Sequence, residues 1–176
     1  MNQKSIKIPE ERVAVLIGKK AQAKKEIEKA FDCKLDIEST GIVLLQGKDS
    51  LKLWDCEKTI KAIARGFNPE IALLIKNDDY DFELINISDY ARSKNDLERL
   101  RGRVIGKEGS SREMIEKKTQ AFISVYGKTI GIISKTDNIQ IVYNAIDMLL
   151  KGARHPTVFN YIDKKLMKKL REENNI

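Results

Sequence analysis

Apolar positions along the chain change their spacing in a fixed order, and the order occurs twice. Alternation predicts short strands at 5 to 8 (SIKI) and at 82 to 87 (FELINI). Leu97, Leu100 and Val104, at i, i+3 and i+7, predict a helix that ends at a glycine-bearing loop, with a second helix directly after it. CKLDI at 33 to 37 and AFISVY at 121 to 126 read as strands. Each returns into an apolar partner, GIVLLQ at 41 to 46 and TIGII at 129 to 133. Gly127-Lys128 is then a two-residue turn with glycine first, as a type II′ hairpin requires. An amphipathic helix closes each set, carried by Leu53, Cys56, Ile60 and Ile63 in one and by Ile139, Val142, Ile146 and Leu149 in the other. The predicted order is βααββα, twice.

The repetition is visible in the residues themselves. A shift of 88 positions lays LIGKKAQAKKEIEK (16 to 29) over VIGKEGSSREMIEK (104 to 117), so that Ile17, Gly18, Lys19, Ile27, Glu28 and Lys29 each meet an identical residue. Leu35 and Ile37 fall on Ile123 and Val125, and Gly66 meets Gly152 after a further shift of two. Two α/β (α+β) domains are expected, at 1 to 78 and 79 to 176, packed together, with the acidic, exposed stretch NDDYDFE (77 to 83) at their boundary. Beyond them, Ile162, Leu166, Met167 and Leu170 predict a C-terminal helix. Its lysines are open to two readings, a solvated face or phosphate contact.

Composition narrows the partners. The chain has 176 residues, 41% of them hydrophobic, with 33 Lys and Arg against 26 Asp and Glu for a net charge of +7. That balance favours polyanions, nucleic acid first. No apolar run of membrane-spanning length and no secretory leader are present, which predicts a soluble, cytoplasmic protein with no membrane partner. The sequon Asn86-Ile87-Ser88 is then ordinary strand sequence. Cys33 and Cys56 form no C-x-x-C pair and are expected as buried thiols. The single His155 has no partner at zinc-ligand spacing, so neither a metal nor another cofactor is expected.

Three readings compete for GRVIGKEG at 102 to 109. A nucleotide-binding P-loop needs four residues between its first glycine and the Gly-Lys-Ser/Thr, but Gly102 to Gly106 leaves three. Glu108 also stands where a magnesium-binding hydroxyl belongs, and the loop joins two helices instead of following a strand. Alternatively, Gly106 merely caps a helix and Gly109 admits a tight turn. The third reading is a G-x-x-G clamp. Gly106 and Gly109 lack side chains, which lets a polynucleotide backbone come close, while Lys107 and the following helix N-terminus supply positive potential. Residues 99 to 112 carry five basic side chains, Arg99, Arg101, Arg103, Lys107 and Arg112, against Glu108 alone. In the first copy the loop is Gly18-Lys19-Lys20-Ala21, and the alanine Cβ stands where a phosphate would approach. That clamp is expected to be impaired, with Gly18, Lys19 and Lys20 left as weak secondary contacts and the first domain bracing the second or meeting a protein.

RVIGKEGSSREMIEKKTQAFISVYG closely resembles the signature of type I KH domains. The degenerate IGKKA, the linked GRVIGKEG, the strand ISVYGKT and LLKGARHPTVFNYIDKK (149 to 165) together resemble the archaeal two-KH ribosome-assembly factors, relatives of the eukaryotic partner-of-Nob proteins. The resemblance implies two tandem type I KH domains and a noncatalytic protein. It would bind single-stranded RNA near the 3′ end of small-subunit ribosomal RNA through the second domain. The alpha subunit of translation initiation factor 2 and a Nob-type maturation endonuclease are its implied protein partners. The clamp would be Gly106, Lys107, Glu108 and Gly109, flanked by Arg101, Arg103, Ile105, Ser110, Arg112 and Lys128. Ser110 departs from the basic residue frequent in relatives, a loss for which Arg112 could compensate. Ile105, Ile123 and Val125 fit either a base groove or the core, with core favoured for the last two. Arg154 is a weak secondary contact. His155 is either a base-stacking residue or a satisfied local histidine. The rival functions are a protein adapter built on the same repeat, a general RNA-binding module in RNA processing or translation initiation, and an NTPase or nuclease, which the loop spacing and the single histidine oppose.

Overall fold

The structure is a computed structural model that describes residues 2 to 174. The chain divides into two compact units, the first ending at Phe82 and the second beginning at Glu83. In the first, strand β1 (Asn2–Lys7) leads into helices α1 (Glu10–Ile17) and α2 (Gln22–Phe31), strands β2 (Cys33–Ile37) and β3 (Ile42–Gly47), and helix α3 (Ser50–Ala64). The second repeats this with β4 (Tyr80–Asn86), whose first three residues precede that boundary, then α5 (Lys94–Ile105), α6 (Ser110–Thr119), β5 (Phe122–Tyr126), β6 (Thr129–Lys135) and α7 (Thr136–Leu150). Two elements exceed the predicted repeat. A short helix α4 (Pro69–Ala72) follows α3, started by proline in its first turn, and α8 (His155–Asn174) follows α7.

Each sheet has three strands with the last one central, in the orders β1-β3-β2 and β4-β6-β5. Both neighbours of β3 run antiparallel to it, with Ser5 facing Leu44 and Leu35 facing Leu45. Tyr126 faces Thr129 across the expected two-residue turn, with Gly127 at φ +55°. The first strand of each set begins earlier than its alternation suggested. Polar Asn2 to Lys4 pair with Gly47 to Leu45 of β3, because backbone hydrogen bonds, not side-chain burial, fix a strand's end. The acidic boundary stretch is partly strand, since β4 begins at Tyr80.

The helices cover one face of each sheet, and the periodic residues that predicted them are the ones buried. Leu53, Cys56, Ile60 and Ile63 of α3 are buried with Leu16, Ile27, Leu35 and Leu45. In the second unit Leu100, Val104, Ile115, Ile123, Ile130, Val142 and Ile146 form the core, joined by Val158 and Ile162 of α8. Helix α8 is thus part of the second fold, although its outer Met167 and Leu170 stay exposed. Its lysines are partly tied down as well: Lys169 reaches Asn138 at 2.9 Å and Asp137 at 3.4 Å. Asp49 caps α3 by accepting from the Leu51 and Lys52 amides, and Ser93 caps α5 by accepting from that of Asp96. Cys56 is buried as expected. Cys33 is only half-buried, at the exposed start of β2, with its sulfur 3.5 Å from that of Cys56. Among the described residues no helix is long and apolar enough to cross a membrane, and no cluster of metal-ligating side chains occurs.

Candidate nucleic-acid interface

In both units the helix pair is joined by the same backbone. Gly18 (φ 73°, ψ 174°) and Gly106 (φ 74°, ψ 173°) end α1 and α5, donating to Ala14 and Gly102. A single 3₁₀ turn follows, Lys19–Ala21 in one copy and Lys107–Gly109 in the other. Lys20 and Glu108 are both left-handed at φ 49° and 54°, as are Ala21 and Gly109 at φ 59° and 81°. The first clamp is therefore not collapsed. It has the full turn, with one methyl group added at its end.

The two glycines of the clamp do different work. A Cβ on Gly106 would stand 2.6 Å from the Ser111 amide nitrogen and 2.7 Å from the Ser111 Cβ. The missing side chain is thus taken up by the protein's own turn into α6, and Gly18 meets Ala23 in the same way at 2.8 Å. This corrects the expectation that Gly106 is bare for a ligand. A Cβ on Gly109 would meet only Glu113 Oε1, at 3.6 Å. Position 109 alone faces open space, which explains why the first copy keeps its first glycine and has lost only its second.

The cations around the clamp separate into those used by the fold and those left over. Arg103 donates through Nε to the Leu149 carbonyl at 3.0 Å and through Nη2 to that of Ala153, fastening α5 to the end of α7. Arg12 makes the matching staple in the first unit, to Ile63 and Phe67, both at 2.8 Å. Arg103 is therefore engaged by the fold, which its charge alone could not show. Arg99 pairs with Asp96 at 2.6 Å, and the Nε of Arg112 lies 3.9 Å from Glu116. His155 shares a 2.8 Å hydrogen bond between Nε2 and the Arg103 carbonyl, which is the satisfied local role. Arg154 is exposed beside it. Lys107, Glu108 and Ser110 are exposed on the loop, as are Lys19 and Lys20 on its counterpart.

Arg101 and Lys128 come together where the sequence placed them far apart. They line a hollow of about 590 Å³ along the α5 face, with Ala91, Arg92, Leu97 and Gly127. The Arg101 Nε is buried there without a hydrogen-bond partner. The hairpin is held at this end of the site by the Ile87 amide, which donates to the Lys128 carbonyl at 2.8 Å. Ala91 and Leu97 were missed as lining residues because helical spacing made Leu97 look like plain core, and both do pack against it. Ile105 is half-buried, while Ile123 is buried and Val125 packs against the core, as favoured. Glu28 and Glu116, identical across the repeat, each accept from an edge-strand amide, Leu35 and Ile123, at 2.8 Å. Nearby, the Tyr90 hydroxyl donates to Asp147 at 2.8 Å. Burial, then that carboxylate, pushes its phenol up to about 12. The burial that would raise Asp147 is outweighed by Lys151 and Tyr90, which hold its carboxyl below the usual range.

Comparison with known proteins matches both units to KH families. Residues 3–63 fit the KH domain family, and residues 81–167 fit the second-domain Pno1 family described as a eukaryotic type KH domain (KH-domain type I). A KH domain-containing protein of Methanocaldococcus jannaschii is 47% identical over 167 residues, 93% of this chain and 74% of that protein. The pre-rRNA-processing protein pno1 of Emericella nidulans is 29% identical over 137 residues, and the matched region spans 53% of its length. Dim2p from Pyrococcus horikoshii is 41% identical with a TM-score of 0.86, covering 93% of this chain and 99% of that one. A second structure, the a/eIF2alpha-aDim2p-rRNA complex of the same organism, matches at 41% identity and a TM-score of 0.85, covering 93% of both chains. The chain belongs to the family of two-KH-domain proteins that includes Pyrococcus Dim2p and the Pno1 pre-rRNA-processing proteins.

Proposed function

We propose that this protein binds single-stranded RNA through its second KH domain and serves in small ribosomal subunit biogenesis, near the 3′ end of the small-subunit ribosomal RNA. The observation that carries the reading is the open face at Gly109, where a side chain would meet only a carboxylate oxygen at 3.6 Å. A phosphate can lie against that turn beside Lys107 and the N-terminus of α6. The hollow along α5 offers unpaired bases an apolar wall at Leu97 and two cations, Arg101 and Lys128. Positive charge supplies affinity, the loop fixes the path of the strand, and the hollow selects bases. The protein acts by binding, without catalysis, in the cytoplasm.

The rRNA and a/eIF2alpha in the Pyrococcus Dim2p complex support the same two partners for this chain. The pre-rRNA-processing role in the name of the Emericella relative supports the ribosomal setting. A Nob-type endonuclease as neighbour follows from the family resemblance alone. Filter binding of a short unpaired RNA across a salt series tests this. Three free cations, Lys107, Arg101 and Lys128, predict saturable binding with a slope of about −2 in log K against log salt. No saturable binding and no slope would leave the protein-adapter reading.

A further inference from the structure

A second hollow, of about 300 Å³, opens beside the clamp and shares none of its lining with the one along α5. Its near wall is Lys107, Ser110, Ser111 and Met114; its far wall is His155 and Phe159, from the first turns of α8. Ser111 is only 4% exposed, yet its hydroxyl has no hydrogen-bond partner. Met114 is 41% exposed although apolar. The far wall is fixed relative to the clamp, because His155 is bonded to the Arg103 carbonyl in the last turn of α5. Its ring tilts 53° to that of Phe159 with centroids 6.2 Å apart.

The repeat supplies an internal control. The matching hollow of the first unit, also about 300 Å³, is lined by Lys19, Gln22, Ala23, Glu26 and the Asn68–Glu70 segment. At the 88-residue offset Ala23 replaces Ser111 and Glu26 replaces Met114, with Glu70 adding a second negative charge. Of the two matching hollows, only the one beside the clamp open at its second glycine is therefore lined by an unpartnered hydroxyl, a methionine and an aromatic ring. Two carboxylates at the other hollow would repel a phosphodiester chain.

We propose that this hollow is a base pocket for one further unpaired nucleotide of the strand held by the clamp. The base stacks on Phe159 and Met114 while the Ser111 hydroxyl hydrogen-bonds its edge. Lys107 belongs to both the clamp and the pocket, so a strand crossing the loop brings its next nucleotide to the opening. A base edge offers both donors and acceptors, which satisfies a buried hydroxyl, and aromatic stacking accepts any base face. The inference rests on the RNA-binding reading above and extends the site past the clamp and the α5 hollow.

The test is equilibrium binding of the full chain to unpaired RNAs of four and of eight nucleotides, the longer set carrying 2-aminopurine at each position in turn. Ser111→Ala, which installs the residue of the first copy, and Phe159→Leu, which keeps apolar bulk without a ring, are compared with the wild type. Wild type should hold the longer RNA on the order of tenfold more tightly than the shorter, with one fluorophore position strongly quenched. Both variants should lose most of that gain and the quenching, while binding the four-nucleotide RNA normally. Normal binding of the short RNA, with a length gain indifferent to both variants, would overturn the pocket and leave the clamp intact. Failure of the wild type to bind either RNA would overturn the RNA-binding reading and the pocket with it.

Discussion

Replacing Gly106 and Gly109 by alanine, one at a time, should separate a glycine that the fold needs from a glycine that the ligand needs. At Gly106 the new methyl would lie 2.6 Å from a backbone nitrogen that cannot move without shifting α6, in a conformation (φ 74°, ψ 173°) suited only to glycine. Backbone strain of about 1–3 kcal/mol and overpacking of similar size add to roughly 2–6 kcal/mol. That is a large share of the 5–15 kcal/mol of stability typical of a domain. At Gly109 the nearest atom is 3.6 Å away, so only the left-handed conformation costs anything, about 1–2 kcal/mol. The first copy already carries alanine there, as Ala21 at φ 59°. Urea denaturation followed by circular dichroism should therefore show a marked loss for Gly106→Ala and a small one for Gly109→Ala. RNA affinity, read by fluorescence anisotropy, should fall tenfold or more for Gly109→Ala although it stays folded, and Gly109→Asp should abolish binding. Equal destabilisation by the two alanines, or wild-type affinity in Gly109→Ala, would refute the division of roles.

Three further outcomes are expected. Arg103→Ala should destabilise the second unit by about 1–3 kcal/mol in urea, since it strands the Ala153 carbonyl and removes the side-chain donor to that of Leu149, which keeps its backbone partner Gly152, whereas Arg101→Ala should leave stability alone and lower RNA affinity. Ala21→Gly should relieve left-handed strain and raise stability by up to about 1 kcal/mol, with RNA affinity unchanged. The Tyr90 phenol, raised from 10.0 to about 12 by burial and Asp147, stabilises the fold below pH 10, and that contribution is lost as pH rises through 12. Ultraviolet titration should show a late-ionising tyrosine that is absent in Tyr90→Phe.

Much of the fold was legible because its repeat is written at three levels at once. The helical spacing of Leu53, Cys56, Ile60 and Ile63, the alternation in β2 and β5, and the 88-residue self-match point to one topology, and a sequence consistent across levels specifies it strongly. The start of β1 was less legible, since its polar residues are held by backbone pairing with β3. Helix α8 was expected from its spacing, but the deep burial of Val158 depends on α6 and α7 being there to cover it. At the site, the clamp residues could be found by motif, but their division of labour could not. Whether Arg103 or Arg101 is free depends on which reaches the carbonyls at the end of α7, a matter of helix phase that charge counting does not register. Likewise the lining of the α5 hollow joins Leu97 to Lys128, thirty-one positions apart in sequence.

The central claim is that the second loop, opened at Gly109, is where RNA lies. Amide resonances of the intact protein, followed while a short unpaired RNA is added, test it most directly. Saturable shifts centred on Gly106 to Ser110 and on Arg101 and Lys128, with the Gly18 to Ala21 turn nearly still, are the result expected. Shifts concentrated on the first loop, or a quiet second loop in a saturated complex, would contradict it.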